Sequence, residues 1–261
     1  MLFAWIDEIQ RSKGLTGDIL EIGVHHGKAA VFLGALLDPA REKLAVCDIF
    51  QEQDRNLSGS GSGNRYIFEQ NLKSYLGEGI DVRVFAKASA ELTPTETGTN
   101  HRFIHIDGGH SRDEALADLN FAARVTLEQG VIAVDDPMTL EWPGVAEALF
   151  HFLSGNRQFC GLAAGFNKLL LVRRDVASSY ARQIDLPERR ADYGLTYPWH
   201  YKQLAFMGDP LRIFHVPSFV DANSLRTRWI RYYYTHHWLQ HPLLSPAVSL
   251  GKLLLHRDKS R

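Results

Sequence analysis

Cysteine is scarce, with two residues in 261, Cys47 and Cys160. Both sit inside apolar runs, LAVCDIF and QFCGLAAG. That marks them as small core residues and argues against a disulfide framework or a cysteine-based zinc site. Long hydrophobic runs are missing as well, none approaching the ~18 residues that a membrane span needs. The opening stretch MLFAWIDEIQRSKG meets Asp7 and Glu8 after six residues and carries no cleavable-signal pattern. Net charge is nearly absent, at −1, so no global field favours nucleic acid or a membrane surface. Together these absences lead to the expectation of a reduced, cytoplasmic, globular chain.

What is present is an ordinary mixture of 45% hydrophobic and 23% charged residues, enough for one large α/β domain with appendages. The segment from Phe3 to about Lys13 reads as a helix closed by Gly14, with Phe3, Ile6 and Ile9 on one face. A strand–helix rhythm follows. DILEIGV (18–24) is a short apolar strand and a helix starts near Lys28. Further strands are KLAVCDIF (43–50), IDVRVFAK (80–87), RFIHID (102–107) and VIAVDD (131–136). Ser111 and Glu114 form a capping box that opens a helix after the fourth of these strands, and Gly130 stands where its C-terminal cap is expected. This alternation predicts a doubly wound, mostly parallel sheet with helices on both faces. RQFCGLAAGFNKLLLVRR (157–174) reads as a closing antiparallel hairpin turning at Gly165 to Asn167.

Beyond Asp175 the rhythm stops. The expected organisation is a domain over residues 1–174 and a C-terminal appendage over 175–261, with 176–221 irregular. Residues 222–261 hold seven Lys or Arg and one Asp, around the run RTRWIRYYYTHHWLQH. Trp229, Tyr232, Tyr233 and Trp238, interleaved with Arg226, Arg228 and Arg231, suit a self-associating arm, with peripheral membrane contact as the second choice. Nucleic acid is not an expected partner, because only this tail is basic. The Gly- and Ser-rich segment 51–64 reads either as a surface loop or as a flap over a site.

Ligands of open parallel sheets bind beyond the carboxyl ends of the strands, where the strand order reverses. There the first strand ends in Glu21-Ile22-Gly23-Val24-His25-His26-Gly27. Gly23 allows a sharp turn and Gly27 a close helix start. Asp48 closes the second strand, 25 residues after Gly23, where an acid can hold ribose hydroxyls. Nicotinamide and S-adenosylmethionine proteins both use such an acid. Bulky His25 and His26, which leave no cradle for a pyrophosphate, and the antiparallel hairpin favour the sulfonium cofactor.

The fourth strand ends in Asp107-Gly108-Gly109-His110 and the fifth in Asp135-Asp136-Pro137. Neighbours within a strand face opposite ways, so Asp135 and Asp136 serve one site only if the strand has ended, as Pro137 suggests. Three acids gathered at one sheet edge repel unless something positive lies between them. A divalent cation, Mg²⁺ first, is the expected partner of Asp107, Asp135 and Asp136. His110 is the candidate base for an acceptor hydroxyl. Trp142, Tyr197, Trp199 and His200 are candidates for an acceptor pocket or for packing.

EIGVHHG, VCDIF, AKAS, FIHIDGGHS followed by ADL, and GVIAVDD together resemble the class I S-adenosylmethionine-dependent methyltransferases. Among these the likeness is to small-molecule and sugar O-methyltransferases with a DG-x-H element. It covers about residues 15–174. The resemblance implies a seven-stranded Rossmann-like sheet with a reversed last strand. It implies that Glu21, Gly23 and Gly27 border the methionine part of the cofactor, that Asp48 binds ribose, that Ser89 lies near adenine and that Asp107 is a further cofactor-binding residue. It also implies a cation on Asp107, Asp135 and Asp136, with His110 and Asp107 carrying catalysis. The family's further loop glycine is replaced here by His25. The functional expectation is O-methylation of a sugar or other small-molecule hydroxyl by a homo-oligomer. A nicotinamide-dependent oxidoreductase and a non-catalytic binding protein of the same fold are the alternatives.

Overall fold

The computed structural model describes residues 1–193, 195 and 200–215. Tyr197, Trp199 and the basic aromatic tail, with the arm and membrane-contact expectations placed on it, lie outside the described residues. Helix α1 (Leu2–Ser12) buries Leu2, Trp5, Ile6 and Ile9, a spacing that puts one apolar stripe on the core. Then follow β1 (Asp18–Ile22), α2 (Lys28–Gly34), β2 (Leu44–Asp48), α3 (Arg65–Leu76), β3 (Val82–Ala86), α4 (Pro94–Thr97) and β4 (His101–Ile106). The second half comprises α5 (Arg112–Val125), β5 (Thr126–Asp135), α6 (Pro143–Gly155), β6 (Phe159–Gly165), β7 (Lys168–Arg173), α7 (Arg174–Ile184), α8 (Pro187–Asp192), β8 (Tyr201–Phe206) and β9 (Asp209–Phe214). No helix among the described residues is long and apolar enough to cross a membrane.

All strands join one sheet in the order β3-β2-β1-β4-β5-β7-β6-β9-β8. Strands β3 to β5 of that order run parallel, and β7 is antiparallel to both β5 and β6. Strand β1 lies between β2 and β4, so the winding direction reverses beside it, which is where such sheets leave a crevice. Odd-numbered positions of β1 and β4, such as Ile19 and Phe103, pack under α1, α2, α3 and α7. The alternate positions Leu20, Ile22, Ile104 and Ile106 pack under α5 and α6. Both faces being covered, β1 and β4 are buried at every residue and carry no polar–apolar alternation.

The expected seven strands are present, and the sheet continues past them. β9 pairs parallel to β6 through Ala163 and Arg212, and β8 returns antiparallel beside it. Residues 176–221, read as irregular, therefore hold most of α7, all of α8 and this hairpin within their described part, and the compact unit extends over Met1–His215. The hairpin was hard to read because β8 exposes four residues in succession, Lys202 to Ala205, and so lacks a period of two. Trp5 of α1 stacks on Tyr193 and meets the ring of Phe214 at 5.2 Å, which joins the first helix to the last strand.

Helix α5 starts at the expected capping box of Ser111 and Glu114. It ends at Val125, five residues before Gly130, because Thr126 is already extended. Gly130 is thus not a helix cap. A Cβ there would lie 2.3 Å from Thr126 Oγ1 and 2.9 Å from the His101 carbonyl, so close strand packing requires the glycine.

At the edge of the sheet opposite the strand tips, Glu42 is 1% exposed and bonded by Arg102 Nε at 2.9 Å and Arg11 at 2.6 Å. The Gly17 amide adds a third bond at 3.1 Å. Burial raises the carboxyl pKa, but the two guanidinium bonds outweigh it and hold it at about 2. Because the folded value lies below the ordinary 4.5, this stabilisation is complete above pH 4.5 and is lost as pH falls toward 2. Glu42→Gln is expected to cost about 3 kcal/mol at neutral pH, by leaving Arg11 and buried Arg102 with Asp7 as their remaining carboxylate partner. Urea unfolding across pH should show a shallower acid slope for the variant, and identical slopes would place the acid sensitivity elsewhere.

Candidate functional site

The crevice beside β1 is shaped first by backbone contact. Gly23 turns off the strand at φ +81°, and a Cβ on it would lie 1.8 Å from the carbonyl oxygen of Asp107. The tips of β1 and β4 are laced together by Asp107 N donating to the Ile22 carbonyl at 2.7 Å. Gly27 caps α2 at φ +87°, with the Phe68 ring 2.9 Å from where its Cβ would stand. Only residues without a side chain let the three segments approach this closely.

Asp48 organises the loop above this turn. Its Oδ2 accepts from the amides of Val24 and His25, both at 2.7 Å, and its Oδ1 accepts from Phe50 N at 2.6 Å. A carboxylate has about four acceptor positions, so three are committed to the loop and one remains for a ligand hydroxyl. Segment 51–64 lies directly over it. A Cβ at Gly63 would be 2.9 Å from Asp48 Oδ1, and one at Gly61 would be 3.3 Å from the His25 ring. The flap position is therefore occupied by the segment that was a flap candidate.

Glu21 is placed differently from the expectation attached to it. It is 1% exposed and pairs with His105 on β4, Oε1 to Nδ1 at 2.8 Å. Burial, then the charge of Asp107, pushes its carboxyl well above the usual range. Burial also lowers His105 to about 3, so the pair is neutral. Glu21 acts on the crevice through its position under the strand tips and not by lining it. Ser89 lies in a short turn after β3 and hydrogen-bonds Asp118 of α5. Asp118, which sequence reasoning missed, is 1% exposed and raised by burial to about 7. It reaches toward Gly108, whose Cβ would stand 2.7 Å from Asp118 Oδ2. The ADL segment after DGGH was its only signal.

The acids at the tips of β4 and β5 do not form one triad. Asp107, His110 and Asp136 bring ligand atoms within 4.8 Å of one another, and His105, Asp107 and Asp135 form a second such group. Asp135 ends β5, and Asp136 turns away at φ +52°. His110 Nε2 lies 3.4 Å from Asp136 Oδ2 and 4.0 Å from Asp107 Oδ1, and the ring packs on Trp142 at 4.5 Å. Asp135 instead bonds Lys168 of β7. Asn167 donates to both Asp135 and Asp136. Asp107 is raised well above its ordinary value by burial and then by the charge of Asp135. Burial acts upward on Asp135 too, but the Lys168 ammonium prevails and lowers it.

Lys168 and Asn167 were not anticipated. They are legible only once the hairpin register is known, since Lys168 stands opposite Asp135 in the ladder. Of the pocket candidates, Trp142 is half-buried beside His110, and His200 is buried at 2% exposure, away from any open wall. A separate cavity of about 400 Å³ between β6, β9 and α7 is lined by the ion pairs of Arg174 with Asp209 and Arg212 with Asp185, and by Arg182.

Residues 20–137 match the family described as methyltransferase domain. Among solved structures, the chain is similar to the O-methyltransferase NovP, at 17% identity and a TM-score of 0.56, covering 64% of this chain and 76% of that one. It is also similar to CalS11, a calicheamicin methyltransferase, at 17% identity and a TM-score of 0.49, over 65% and 77% of the two chains. At such identities the likeness to NovP shows the fold, and the CalS11 score is too low to add to it. No curated protein matches the chain in sequence.

Gly23→Ala is expected to lower stability by more than about 2 kcal/mol, through a positive φ and a collision with backbone that cannot yield. An unchanged unfolding midpoint would show that the β1 and β4 tips are not in contact.

Proposed function

We propose that the chain, whose residues 20–137 match a methyltransferase-domain family, transfers the methyl group of S-adenosylmethionine to a hydroxyl of a small molecule, a sugar or another compact metabolite. The observation that carries this reading is His110, held between Trp142 and Asp136 at the crevice beside the Gly23 turn. Asp48 keeps one acceptor position for a ribose hydroxyl, and Ser89 stands at the adenine end. The adjacent rings of His25 and His26, tilted with centroids 3.8 Å apart, fill the loop where a nicotinamide cofactor would need room for its pyrophosphate.

In the transfer, the acceptor oxygen attacks the methyl carbon in line with the departing sulfur. The O–C bond forms as the C–S bond breaks, and the sulfur keeps the electron pair. His110 Nε2 takes the hydroxyl proton, and Asp136 beside it favours the resulting imidazolium. Trp142 offers an aromatic face on which a sugar ring can lie. Much of the acceleration comes from holding the oxygen and the methyl in line. The carboxylates of Asp107 and Asp136 would suit a divalent cation beside His110, with His110 Nε2 kept for the proton. A bound cation would lower the hydroxyl pKa. Asp135, bonded to Lys168, fits that role poorly.

His110→Ala is expected to lower kcat by about 10²- to 10⁴-fold and to leave binding of S-adenosylhomocysteine unchanged by calorimetry. Undiminished turnover would remove His110 from the proton transfer. Asp48→Asn should weaken S-adenosylhomocysteine binding by about tenfold or more, through the loop it ties and the ribose it faces. Wild-type affinity in that variant would overturn the ribose assignment.

A further inference from the structure

Lys168 occupies a place where an acid cluster would otherwise be expected to recruit a metal. Its ammonium bonds Asp135 Oδ2, and the two side chains are 19% and 13% exposed. The remaining oxygen of Asp135 accepts from Asp136 N at 2.9 Å and Asn167 Nδ2 at 3.2 Å. Three of the about four acceptor positions of this carboxylate are therefore taken within the protein, and Asp107 stands in hydrogen-bond range for the fourth. The ammonium also lies close enough to act electrostatically on Glu21, Asp107 and His105.

The placement is built into the backbone. Phe166 and Asn167 form a two-residue turn with φ of +54° and +60°, the left-handed pair that tight hairpins require. That turn sets Lys168 opposite Gly165 on one side and Asp135 on the other. A slip of one residue would send the lysine to the other face of the sheet.

We propose that Lys168 is the resident cation of this cluster, neutralising Asp135 and keeping a divalent ion off that carboxylate. The proposal rests on the methyltransferase reading only for the meaning of the site, since the charge argument stands on the hairpin alone. A divalent cation approaching Asp135 meets a fixed positive charge, whereas Asp107 and Asp136 on the His110 side stay open to it. Lys168 is thus a positioning residue that decides which carboxylates answer to metal.

The test is calorimetric titration of Mn²⁺ alone into the full chain and its variants. Lys168→Met is expected to bind Mn²⁺ at least about tenfold more tightly than wild type, because an anionic site is uncovered. Lys168→Arg should behave as wild type, and adding Asp135→Asn to Lys168→Met should abolish the gain. A Lys168→Met protein that binds S-adenosylhomocysteine normally yet gains no Mn²⁺ affinity overturns the proposal. Should Lys168→Met fail to fold, Asp135→Asn alone decides the matter. Unchanged Mn²⁺ affinity supports the resident cation, and weakened affinity makes Asp135 a metal ligand and overturns it. Failure of the wild type to bind S-adenosylhomocysteine would instead remove the methyltransferase reading and leave the Mn²⁺ result to stand by itself.

Discussion

A carboxylate at the end of a buried strand must find a proton or a positive partner, and this requirement organises the whole molecule. Each acid meets it differently. Glu42 is ionised between Arg11 and Arg102. Asp48 accepts from three backbone amides, and Asp135 is held low by Lys168. Glu21, Asp107 and Asp118 have no such partner and are driven upward by burial. Pairing and burial thus pull the carboxylates of this domain in opposite directions.

The division is also spatial. The Glu42 network closes the sheet edge at which β1 and β4 begin. The others stand at the strand tips, where the switch between β2 and β4 around β1 leaves a crevice. Gly23 lets the tips of β1 and β4 touch, and the 51–64 segment covers Asp48. His110 faces the same region from the start of α5, with Trp142 behind it. The candidate catalytic and cofactor-binding residues therefore share one rim, as expected of a parallel sheet whose helices occupy both faces.

The hairpin of β6 and β7 contributes more than the reversed last strand of the fold. Its turn supplies Asn167 to Asp135 and Asp136, and its first strand residue supplies Lys168. Sequence reasoning inferred that something positive must stand among these acids and assigned a metal ion to the whole set. The need for positive charge was sound, but at Asp135 the chain meets it itself. The same reasoning put Asp135 and Asp136 in one site because the strand ends there. It does end, yet the left-handed turn at Asp136 separates them into two groups.

Much was legible in the chain alone because it depends on neighbours in sequence. The strand–helix alternation, the Ser111 capping box, the glycine turn after β1 and the hairpin around Asn167 all follow from local backbone preference and burial period. The acids at the strand tips were visible for the same reason. What partners those acids take depends on residues 60, 84 or 33 positions away, as with Glu42 and Arg102, Glu21 and His105, and Asp135 and Lys168. Only strand register brings these together, and register is set by the packing of the whole sheet. The sequence by itself determined which groups reach the rim. Tertiary structure decided which of them carry charge there.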